Sequence, residues 1–293
     1  MEKLFEKNAV IDVGSNSVRL MFVADGKVLY KAVEITRLGE GIAQSKTLKP
    51  QAIERTAKAV ADFYFRAKSE GAHSVFAFAT AAVRSAENRL DFLRRVEALC
   101  SLQVEVVSGE TEAELGLLGA LGNDDGAILD IGGASTEIIV RKNGELIYKK
   151  SVDVGVVRLK DLCARDVSAL RAYSLSAVQE FGNVPISCVR AIGGTATSIA
   201  SIALQLKEYD ADAVSGFVLT KEKLAEAVEY LAATPVERVV AETCVPEKRA
   251  EVLLGGAIWL QVLTEELQIA KLTISDADNL EGYAVRCGLL QRK

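Results

Sequence analysis

Histidine is almost absent from this 293-residue chain, and cysteine is sparse. The single histidine, His73, excludes histidine-rich metal sites and leaves little room for a Ser-His-Asp triad. The five cysteines lie far apart and form no Cys-x-x-Cys pair. An odd, scattered set of this kind indicates reduced core thiols, so we expect a cytoplasmic protein.

Proline and long apolar runs are scarce as well. Four prolines exclude a proline-rich linker, and no apolar run approaches the roughly 18–20 residues that a membrane span needs. The opening residues, MEKLFEKN, mix acids with lysines and are not expected to form a signal peptide. Apolar residues make up 49% and charged residues 26%, which is typical of a folded protein of one large or two ordinary domains.

Basic residues are fewer than acidic residues. The 35 lysines and arginines against 40 acids give a net charge of −5, which disfavours a nucleic-acid surface, so we expect no DNA partner. An anionic ligand would then have to be bound largely by backbone amides and a metal ion.

The chain contains an internal repeat. Residues 11–31, IDVGSNSVRLMFVADGKVLYK, align without a gap with residues 129–149, LDIGGASTEIIVRKNGELIYK. Both copies predict a strand, a Gly/Ser turn, a second strand, a tight hairpin turn and a third strand, because the Asp-Gly and Asn-Gly dipeptides at 25–26 and 143–144 favour two-residue turns. Two such copies indicate two related lobes.

Helical and strand patterns follow each copy. The pattern predicts helices at 49–71, 86–100, 108–121, 176–181, 197–206, 220–233, 248–267 and 280–290, and strands at 74–80, 103–107, 187–192 and 271–274. This alternation indicates an α/β protein with mixed sheets.

The turn of the first copy has the composition of an anion-binding loop. Gly14 allows a sharp turn after a buried strand, and the short polar residues 15–17 offer hydroxyl and amide groups beside it. Asp12 can hold Mg²⁺, and Arg19 can screen phosphate charge. Taken alone, the segment is better explained as an ordinary hairpin turn.

The second copy repeats this design and adds an acid. Its turn runs from Asp130 to Ser135, and Glu137 follows. Two glycine-rich turns with buried aspartates, one from each lobe, would face one cleft and hold phosphates from both sides.

A third turn, Gly193-Gly194-Thr195, joins the end of a strand to the start of a helix. Free N–H groups at a helix N-terminus favour an anion, although this turn is weak evidence alone. No GxGxxG follows the first strand and no GxxxxGK[ST] occurs, so a dinucleotide-binding Rossmann site is disfavoured and a P-loop is excluded.

The segment 108–114, SGETEAE, begins a predicted helix with three acids in its first turn. The helix dipole accounts for Glu110 and Glu114, and Thr111 with Glu114 fits a capping box. Glu112 shares its helix face with two glycines, so it points to a place where backbone packs closely. A carboxylate there can orient and deprotonate water beside a bound phosphate.

Arg84 follows the predicted strand at 75–79. An arginine at a strand end can bind phosphate, and a surface salt bridge is an equal alternative.

Together these segments resemble the exopolyphosphatase/guanosine pentaphosphate phosphatase (Ppx/GppA) family. AVIDVGSNSVRLMFV and LDIGGASTEIIV are similar to its two phosphate motifs, which sugar kinases and actin-like ATPases share. SGETEAELG and VGVVRL are far more specific to the family. The similarity continues in order over nearly the whole chain, through FATAAVRSAENRLDFLRRV, AIGGTATSIASIAL, SGFVLTKEKL, TPVER and RAEVLLGGAIWL.

The resemblance implies an actin-like ATPase (ribonuclease H-like) fold with two lobes, mixed sheets and a central cleft. We expect the lobes to divide at 1–121 and 122–293, with the last helix able to pack back on the first lobe. The implied activity is hydrolysis of a terminal phosphate from inorganic polyphosphate or from guanosine pentaphosphate (pppGpp), assisted by Mg²⁺ or another divalent cation.

Site residues follow from the same motifs. The resemblance places the water-activating carboxylate at Glu112 and the acids around the metal at Asp12, Asp130 and Glu137. The candidate phosphate-binding residues, with those of the third turn, are Gly14, Ser15, Asn16, Ser17, Arg84, Gly132, Gly133, Ala134, Ser135, Gly193, Gly194 and Thr195.

The chain departs from the family pattern in three places. Ala134 stands where glycine is usual, with little effect expected unless that position needs a positive φ. Leu280 stands where arginine is usual, so one positive charge is missing and weaker polyphosphate binding is expected. The chain stops at Lys293, which predicts a short, two-domain form without the extra helical domains of longer members.

Two other functions stay open on the sequence alone. One is an ATP-dependent kinase of the same superfamily, which would need an acceptor pocket. The other is a (p)ppGpp- or polyphosphate-binding protein without catalytic power, against which the intact acids argue. No membrane attachment is expected. A homodimer is one candidate assembly, and the oligomeric state, the preferred substrate and the chain length are undetermined on the sequence.

Overall fold

Two five-stranded mixed sheets form the framework of the computed structural model, which describes residues 6–290. The first sheet contains β1 (Lys7–Val13), β2 (Ser17–Ala24), β3 (Lys27–Ile35), β4 (Ser74–Ala79) and β5 (Glu105–Val106). The second contains β6 (Gly126–Ile131), β7 (Thr136–Lys142), β8 (Glu145–Val152), β9 (Cys188–Ile192) and β10 (Lys271–Ile274).

The two sheets have the same topology. Their strand orders are β3-β2-β1-β4-β5 and β8-β7-β6-β9-β10. In each, three meander strands pair antiparallel, and the last two strands add in parallel beside the first. The prediction of an α/β fold of the actin-like type, with two related halves and mixed sheets, is confirmed.

Helices connect and cover the strands. In chain order they are α1 (Ile42–Ser45), α2 (Pro50–Ser69), α3 (Ala81–Ser85), α4 (Arg89–Cys100), α5 (Gly109–Leu121), α6 (Val156–Cys163), α7 (Val167–Val178), α8 (Gly193–Ala203), α9 (Ala211–Val214), α10 (Lys221–Ala233), α11 (Val236–Glu242), α12 (Glu247–Glu266) and α13 (Asn279–Arg286). Within the described part of the chain, no helix combines the length and apolar character that crossing a bilayer requires.

The chain divides into two units, each with its own sheet. The first unit is Met1–Gly122 together with Asn279–Lys293, and the second is Asn123–Asp278. Helix α13 therefore groups with the first unit, where it packs directly on α5. Gly282 makes this possible, because a Cβ at that position would overlap the backbone of Leu115.

Both hairpin turns adopt the predicted left-handed conformation. Asp25 and Gly26 have φ of 53° and 71°, and Asn143 and Gly144 have φ of 54° and 77°. This pair of positive angles matches the right-handed twist of the strands that the turn joins. The register also shifts at the same place in both meanders, between residues 22 and 23 and between 140 and 141.

Apolar residues cover both faces of the first sheet. Helices α2 and α4 pack on one face, and α5 with α13 packs on the other. On the second face, the ring of Tyr283 stacks on Phe78 with centroids 4.5 Å apart. Burying two aromatic rings in this way holds α13 against the sheet that carries Asp12.

The second unit has the larger core, built around α12. Trp259 of this helix is fully buried, and its indole N–H donates to the hydroxyl of Thr136 at 2.8 Å. That hydroxyl donates in turn to the carbonyl of Val154 at 2.5 Å. This chain of bonds links α12 to the residue that follows the second glycine-rich turn and to the segment that precedes α6.

Several predicted helix bounds are wrong. Helix α8 begins at Gly193 rather than at residue 197, so the Gly-Gly-Thr segment is its first turn. The short helix predicted at 176–181 is the end of α7 and a following 3₁₀ turn. Helix α6 was not predicted, because its Val-Val start favours a strand. The last helix ends at Arg286 instead of residue 290.

Candidate active site

The two glycine-rich turns close in the same way. Gly14 donates its N–H to the carbonyl of Ser17 at 2.9 Å, and Gly132 donates to the carbonyl of Ser135 at 2.9 Å. A Cβ at either glycine would lie 3.2 Å from that carbonyl oxygen, tighter than nine in ten real Cβ contacts. Close backbone approach explains why both turns begin with glycine.

In the first unit, the segment 36–39 fixes the turn from one side. The carbonyl of Ser15 accepts from the N–H of Gly39 at 2.8 Å, and the carbonyl of Asn16 accepts from the N–H groups of residues 36 and 37. In a trans peptide the next N–H points opposite to the carbonyl. The N–H groups of Asn16 and Ser17 therefore point away from this segment.

In the second unit, the first turn of α6 fixes the second glycine-rich turn from one side. The bonds are Val156 N–H to Gly132 O at 3.0 Å, Val157 N–H to Gly133 O at 2.8 Å and Arg158 Nε to Ala134 O at 2.7 Å. By the same peptide geometry, the N–H groups of residues 133–135 point away from α6. Three successive N–H groups on one side of a loop form a concavity suited to a phosphate.

Gly155 allows this close approach of α6. A Cβ at Gly155 would lie 2.5 Å from the nitrogen of Ala134 and 2.6 Å from the carbonyl oxygen of Gly132. Its φ of −147° is ordinary, so the need for glycine is steric. The VGVVRL segment, which had no assigned role in the sequence, is thus the support of the second loop.

The start of α8 lies beside Asp130. Thr195 donates its hydroxyl to the carbonyl of Ile131 at 2.9 Å, which ties the helix start to the end of β6. Gly193 has φ of 79°, and a Cβ there would lie 2.6 Å from Oδ1 of Asp130. The Asp130 carboxylate therefore packs directly against Gly193, which a side chain at that position would prevent.

Arg249 contacts the start of α8, a contact that the sequence did not reveal. It extends from α12 to the start of α8, where its Nη1 donates to the carbonyl of Gly194 at 3.3 Å and to the hydroxyl of Ser198 at 3.4 Å. A Cβ at Gly194 would overlap its guanidinium. Since the two residues lie 55 positions apart, no local pattern relates them.

Glu112 lies in the first turn of α5, which Ser108 caps by accepting the N–H of Thr111 at 3.0 Å. The predicted capping box of Thr111 with Glu114 is therefore wrong. Glu112 is 7% exposed, whereas Glu114 faces solvent. The acid proposed for chemistry is the buried one of the three.

Arg84 contacts Glu112 directly, through a hydrogen bond of 2.6 Å from Nη1 to Oε2. Burial raises the pKa of the Glu112 carboxyl above its ordinary value, and the nearby charge of Asp12 adds to this. The charge and hydrogen bond of Arg84 oppose the rise in the pKa, as does a hydrogen bond with Thr80. These groups of the first unit form one electrostatic cluster.

Arg19 pairs with Asp12. The two residues face each other across β1 and β2, and Arg19 donates from Nε at 3.0 Å and from Nη2 to the same oxygen, Oδ2. Asp12 is buried, so this ion pair offsets much of the cost of burying its charge.

In the second unit, the residue that faces the aspartate across the strand pair is also acidic. Glu137 faces Asp130 across β6 and β7, and Ser151 donates to its Oε1 at 2.6 Å. Directly opposed residues of an antiparallel pair share one face of the sheet. The unit therefore presents two carboxylates side by side, with Asp130 packed against Gly193.

These donors fit a divalent cation of the magnesium type. Among residues 6–290, no group of three or more His, Cys, Asp and Glu residues is arranged to hold a metal. Mg²⁺, however, is ordinarily bound by one or two carboxylates with water and substrate phosphates. The pair Asp130 and Glu137 meets that requirement, whereas Asp12 lies in the other unit.

The structure shows that two residues that depart from the family pattern are buried. Ala134 is buried and has no positive φ, so an alanine is accommodated there, as expected. Leu280 is 1% exposed and belongs to the apolar cluster beneath β1 and β4. The position thus contributes packing to the first unit.

Comparison with known proteins gives a consistent family. The model of the Ppx/GppA phosphatase family matches residues 8–292. "Exopolyphosphatase 2" of Mycobacterium tuberculosis is 31% identical, over 94% of this chain and 97% of its own length. "Guanosine-5'-triphosphate,3'-diphosphate pyrophosphatase" of Pseudoalteromonas translucida is 28% identical, over 96% of this chain and 58% of its own.

A solved structure supports the same family assignment. The crystal structure of the Aquifex aeolicus member of the Ppx/GppA family aligns with a TM-score of 0.76 and 27% identity, covering 97% of this chain and 98% of that one. The family match and the relatives together show that this chain belongs to the Ppx/GppA phosphatase family.

Proposed function

We propose that the protein is a phosphohydrolase that releases terminal orthophosphate from inorganic polyphosphate, from pppGpp, or from both. The names of its relatives support these substrates. The observation that carries the proposal is the buried Glu112, which Arg84 holds by a hydrogen bond. Burial raises the pKa of the Glu112 carboxyl, and the nearby charge of Asp12 adds to the rise. A carboxylate with a raised pKa is a stronger base than an ordinary glutamate and is suited to take a proton from water.

In this proposal the N–H groups of the two glycine-rich turns bind the phosphate. In each unit, the carbonyl groups of the loop are occupied by a supporting segment, so the N–H groups are available for phosphate oxygens. Such donors are fixed before the substrate arrives and need no rearrangement as charge develops. Arg84 adds a guanidinium to the first unit, and the first turn of α8 adds N–H groups to the second.

Glu112 performs the proton transfer in this proposal. It orients a water molecule and accepts its proton while the water oxygen forms a bond to the terminal phosphorus. The bond between that phosphorus and the bridging oxygen breaks, orthophosphate leaves, and the shortened chain keeps the bridging oxygen. Catalysis comes mainly from positioning and from stabilising charge.

We also propose that Asp130 and Glu137 hold Mg²⁺ or a similar divalent cation. When bound, such a cation supplies positive charge to phosphate oxygens. Ser151 holds Glu137 by its hydrogen bond, and the absence of a side chain at Gly193 lets Asp130 pack closely there.

The test is a phosphate-release assay over polyphosphates of several lengths, pppGpp and ATP, each with and without Mg²⁺. We expect release from polyphosphate, pppGpp or both, without any added acceptor. Phosphate transfer from ATP that requires an acceptor would indicate a kinase instead. Tight binding of polyphosphate or ppGpp without any release would indicate a binding protein.

A homodimer and a cytoplasmic location remain predictions. The five cysteines are all free thiols, which agrees with a reducing compartment. Sedimentation velocity at several protein concentrations tests the dimer directly.

A further inference from the structure

We propose that Arg158 is a positioning residue for phosphate binding: it holds the carbonyl of Ala134, and through that peptide it directs the N–H of Ser135 toward a bound phosphate. Arg158 itself touches no substrate in this proposal. The inference rests on the proposed function, because it assigns one residue's part in the phosphate binding of the second glycine-rich turn.

Helix α6 holds three successive carbonyls of this turn in two different ways. The carbonyls of the two glycines accept backbone N–H groups, from Val156 at 3.0 Å and from Val157 at 2.8 Å. The carbonyl of Ala134 accepts a side-chain donor, Nε of Arg158, at 2.7 Å. A substitution at position 158 can therefore remove the support of the third carbonyl while leaving the backbone bonds to the other two.

The start of the helix explains why a side chain is used. The backbone N–H of Arg158 bonds to the carbonyl of Gly133, at 3.4 Å. The N–H of the next residue, Leu159, already bonds within the helix, to the carbonyl of Gly155 at 2.9 Å. From that point the N–H groups follow the helical pattern of bonds to the fourth residue before them. The donor to Ala134 thus comes from the guanidinium.

In the first unit the corresponding carbonyl accepts backbone N–H groups. Asn16 occupies the place of Ala134 in the ungapped repeat. Its carbonyl accepts from Thr36 at 3.0 Å and from Arg37 at 2.9 Å. Both turns therefore have this carbonyl tied to a supporting segment, although by different kinds of donor, which indicates that the direction of this peptide matters in each.

The bond of Arg158 fixes one N–H group. In a trans peptide the N–H of Ser135 points opposite to the carbonyl of Ala134, so a donor on that carbonyl sets its direction. The side chain of Arg158 is 15% exposed and Ser135 is buried, so water competes little for the bond. Asp153 lies 3.9 Å from Nη2, but its side chain is 85% exposed, and so open a pair contributes little. Arg158 therefore acts through the carbonyl rather than through an ion pair.

Kinetics of Arg158→Met provide the first test, on the substrate that the native protein hydrolyses best. Losing the direction of one N–H that bonds to a charged phosphate should raise KM by roughly 10–100-fold. The value of kcat should stay near native, because this N–H holds phosphate in the ground state and the transition state alike. The control is Arg165→Met, which removes another guanidinium bonded to backbone carbonyls of the same unit, those of Leu231 and Thr234. It should keep the native KM.

Arg158→Lys separates the donor from the charge. Lysine keeps the positive charge but has a methylene group where arginine has Nε, so KM should rise as it does in Arg158→Met. Native KM in either variant, or an equal rise of KM in Arg165→Met, would overturn the proposal, as would a fall in kcat with an unchanged KM. If Arg158→Met does not fold, the lysine variant decides the question.

The amide signal of Ser135 provides a test without turnover. In proton–nitrogen correlation NMR spectra, we expect orthophosphate to move this signal downfield in the native protein and much less in Arg158→Met. A signal that stays in place in the native protein, or that moves equally in both, would contradict the role of Arg158. Absence of phosphate release from every substrate would refute the hydrolase, while this titration still judges Arg158 on its own.

Discussion

Arg84 donates from Nη1 to Oε2 of Glu112 at 2.6 Å, and the same nitrogen donates to the carbonyl of Val107 at 3.2 Å. The side chain thereby joins α3 to the start of α5. Glu112 is nearly fully buried, so its charge depends on this partner more than an exposed carboxylate would. One arginine thus holds the proposed base in place, and its charge and hydrogen bond oppose the rise that burial causes in the pKa of Glu112.

Replacing Glu112 by glutamine should remove phosphate release while keeping the fold. The amide has nearly the same shape but cannot accept a proton, so we expect kcat to fall by about 10²–10⁴-fold. Stability should change little, because the substitution also removes a buried charge. Phosphate release and thermal unfolding measure the two effects.

The matched control is Glu114→Gln, on the same helix but exposed to solvent. We expect it to keep native turnover. Native turnover in Glu112→Gln, or equal losses in both variants, would contradict the assignment of Glu112 as the base.

The repeat and its turns could be predicted because their signals are local. The Asp-Gly and Asn-Gly dipeptides specify their own turn type, and residues 11–31 and 129–149 carry the same pattern. Similarly, the burial of Glu112 follows from its place on a helix face. Such features depend on residues a few positions apart.

The supports of the site could not be predicted, since they depend on contacts between distant segments. Val-Gly-Val-Val favours a strand, yet it starts α6 because its N–H groups bond to the carbonyls of the second loop. Arg249 meets Gly194 through the packing of α12 on α8. Arg19 was expected to screen phosphate, whereas the structure places it on Asp12.

The pH dependence of turnover should reveal the contact of Arg84 with Glu112. The base must be ionised, so kcat should fall as pH decreases through a pKa above that of an ordinary glutamate. The charge and hydrogen bond of Arg84 both lower this pKa. Arg84→Met should therefore raise the pKa further and move the acidic limb of the kcat profile to higher pH.

The same variant should also bind substrate less well. Loss of one charged hydrogen bond costs about 1.5–3 kcal/mol, which corresponds to roughly a 10–100-fold higher KM. Arg94→Met, an exposed position on α4, is the control and should change neither quantity. An acidic limb that stays in place, or moves to lower pH, would show that Arg84 does not set the pKa of Glu112.

Gly155→Ala should disturb the second loop. The added Cβ would lie 2.5 Å from backbone atoms of residues 133 and 134, which cannot move without breaking the bonds from α6. Overpacking of this kind costs about 1–3 kcal/mol of stability. We expect KM to rise roughly tenfold or more, since the N–H groups of the loop lose their common direction.

Gly182→Ala serves as its control in the same unit. Its φ is 66°, and a Cβ there would meet nothing within 4 Å, so the cost is the backbone strain of about 1 kcal/mol. KM should stay at the native value. A Gly155→Ala protein with native KM would show that the close approach of α6 is not needed for substrate binding.

Thr136 offers a test of the link between α12 and the second loop. Its hydroxyl accepts from Trp259 at 2.8 Å and donates to Val154 at 2.5 Å, so Thr136→Val leaves a buried N–H and a buried carbonyl without these partners. We expect a loss of about 1–3 kcal/mol in the free energy of unfolding. Trp259 is the one tryptophan of the chain, so its emission reports the change directly and should shift to shorter wavelength.

Thr136→Ser keeps the hydroxyl and should retain the native emission, with a loss of less than about 1.5 kcal/mol from the missing methyl group. Because Val154 immediately precedes the glycine that lets α6 approach the loop, Thr136→Val should also raise KM, and Thr136→Ser should not. If the valine variant matches the serine variant in stability, emission and KM, the hydroxyl does not couple α12 to the loop. If stability falls and KM stays native, the coupling stabilises the unit without reaching the phosphate-binding N–H groups.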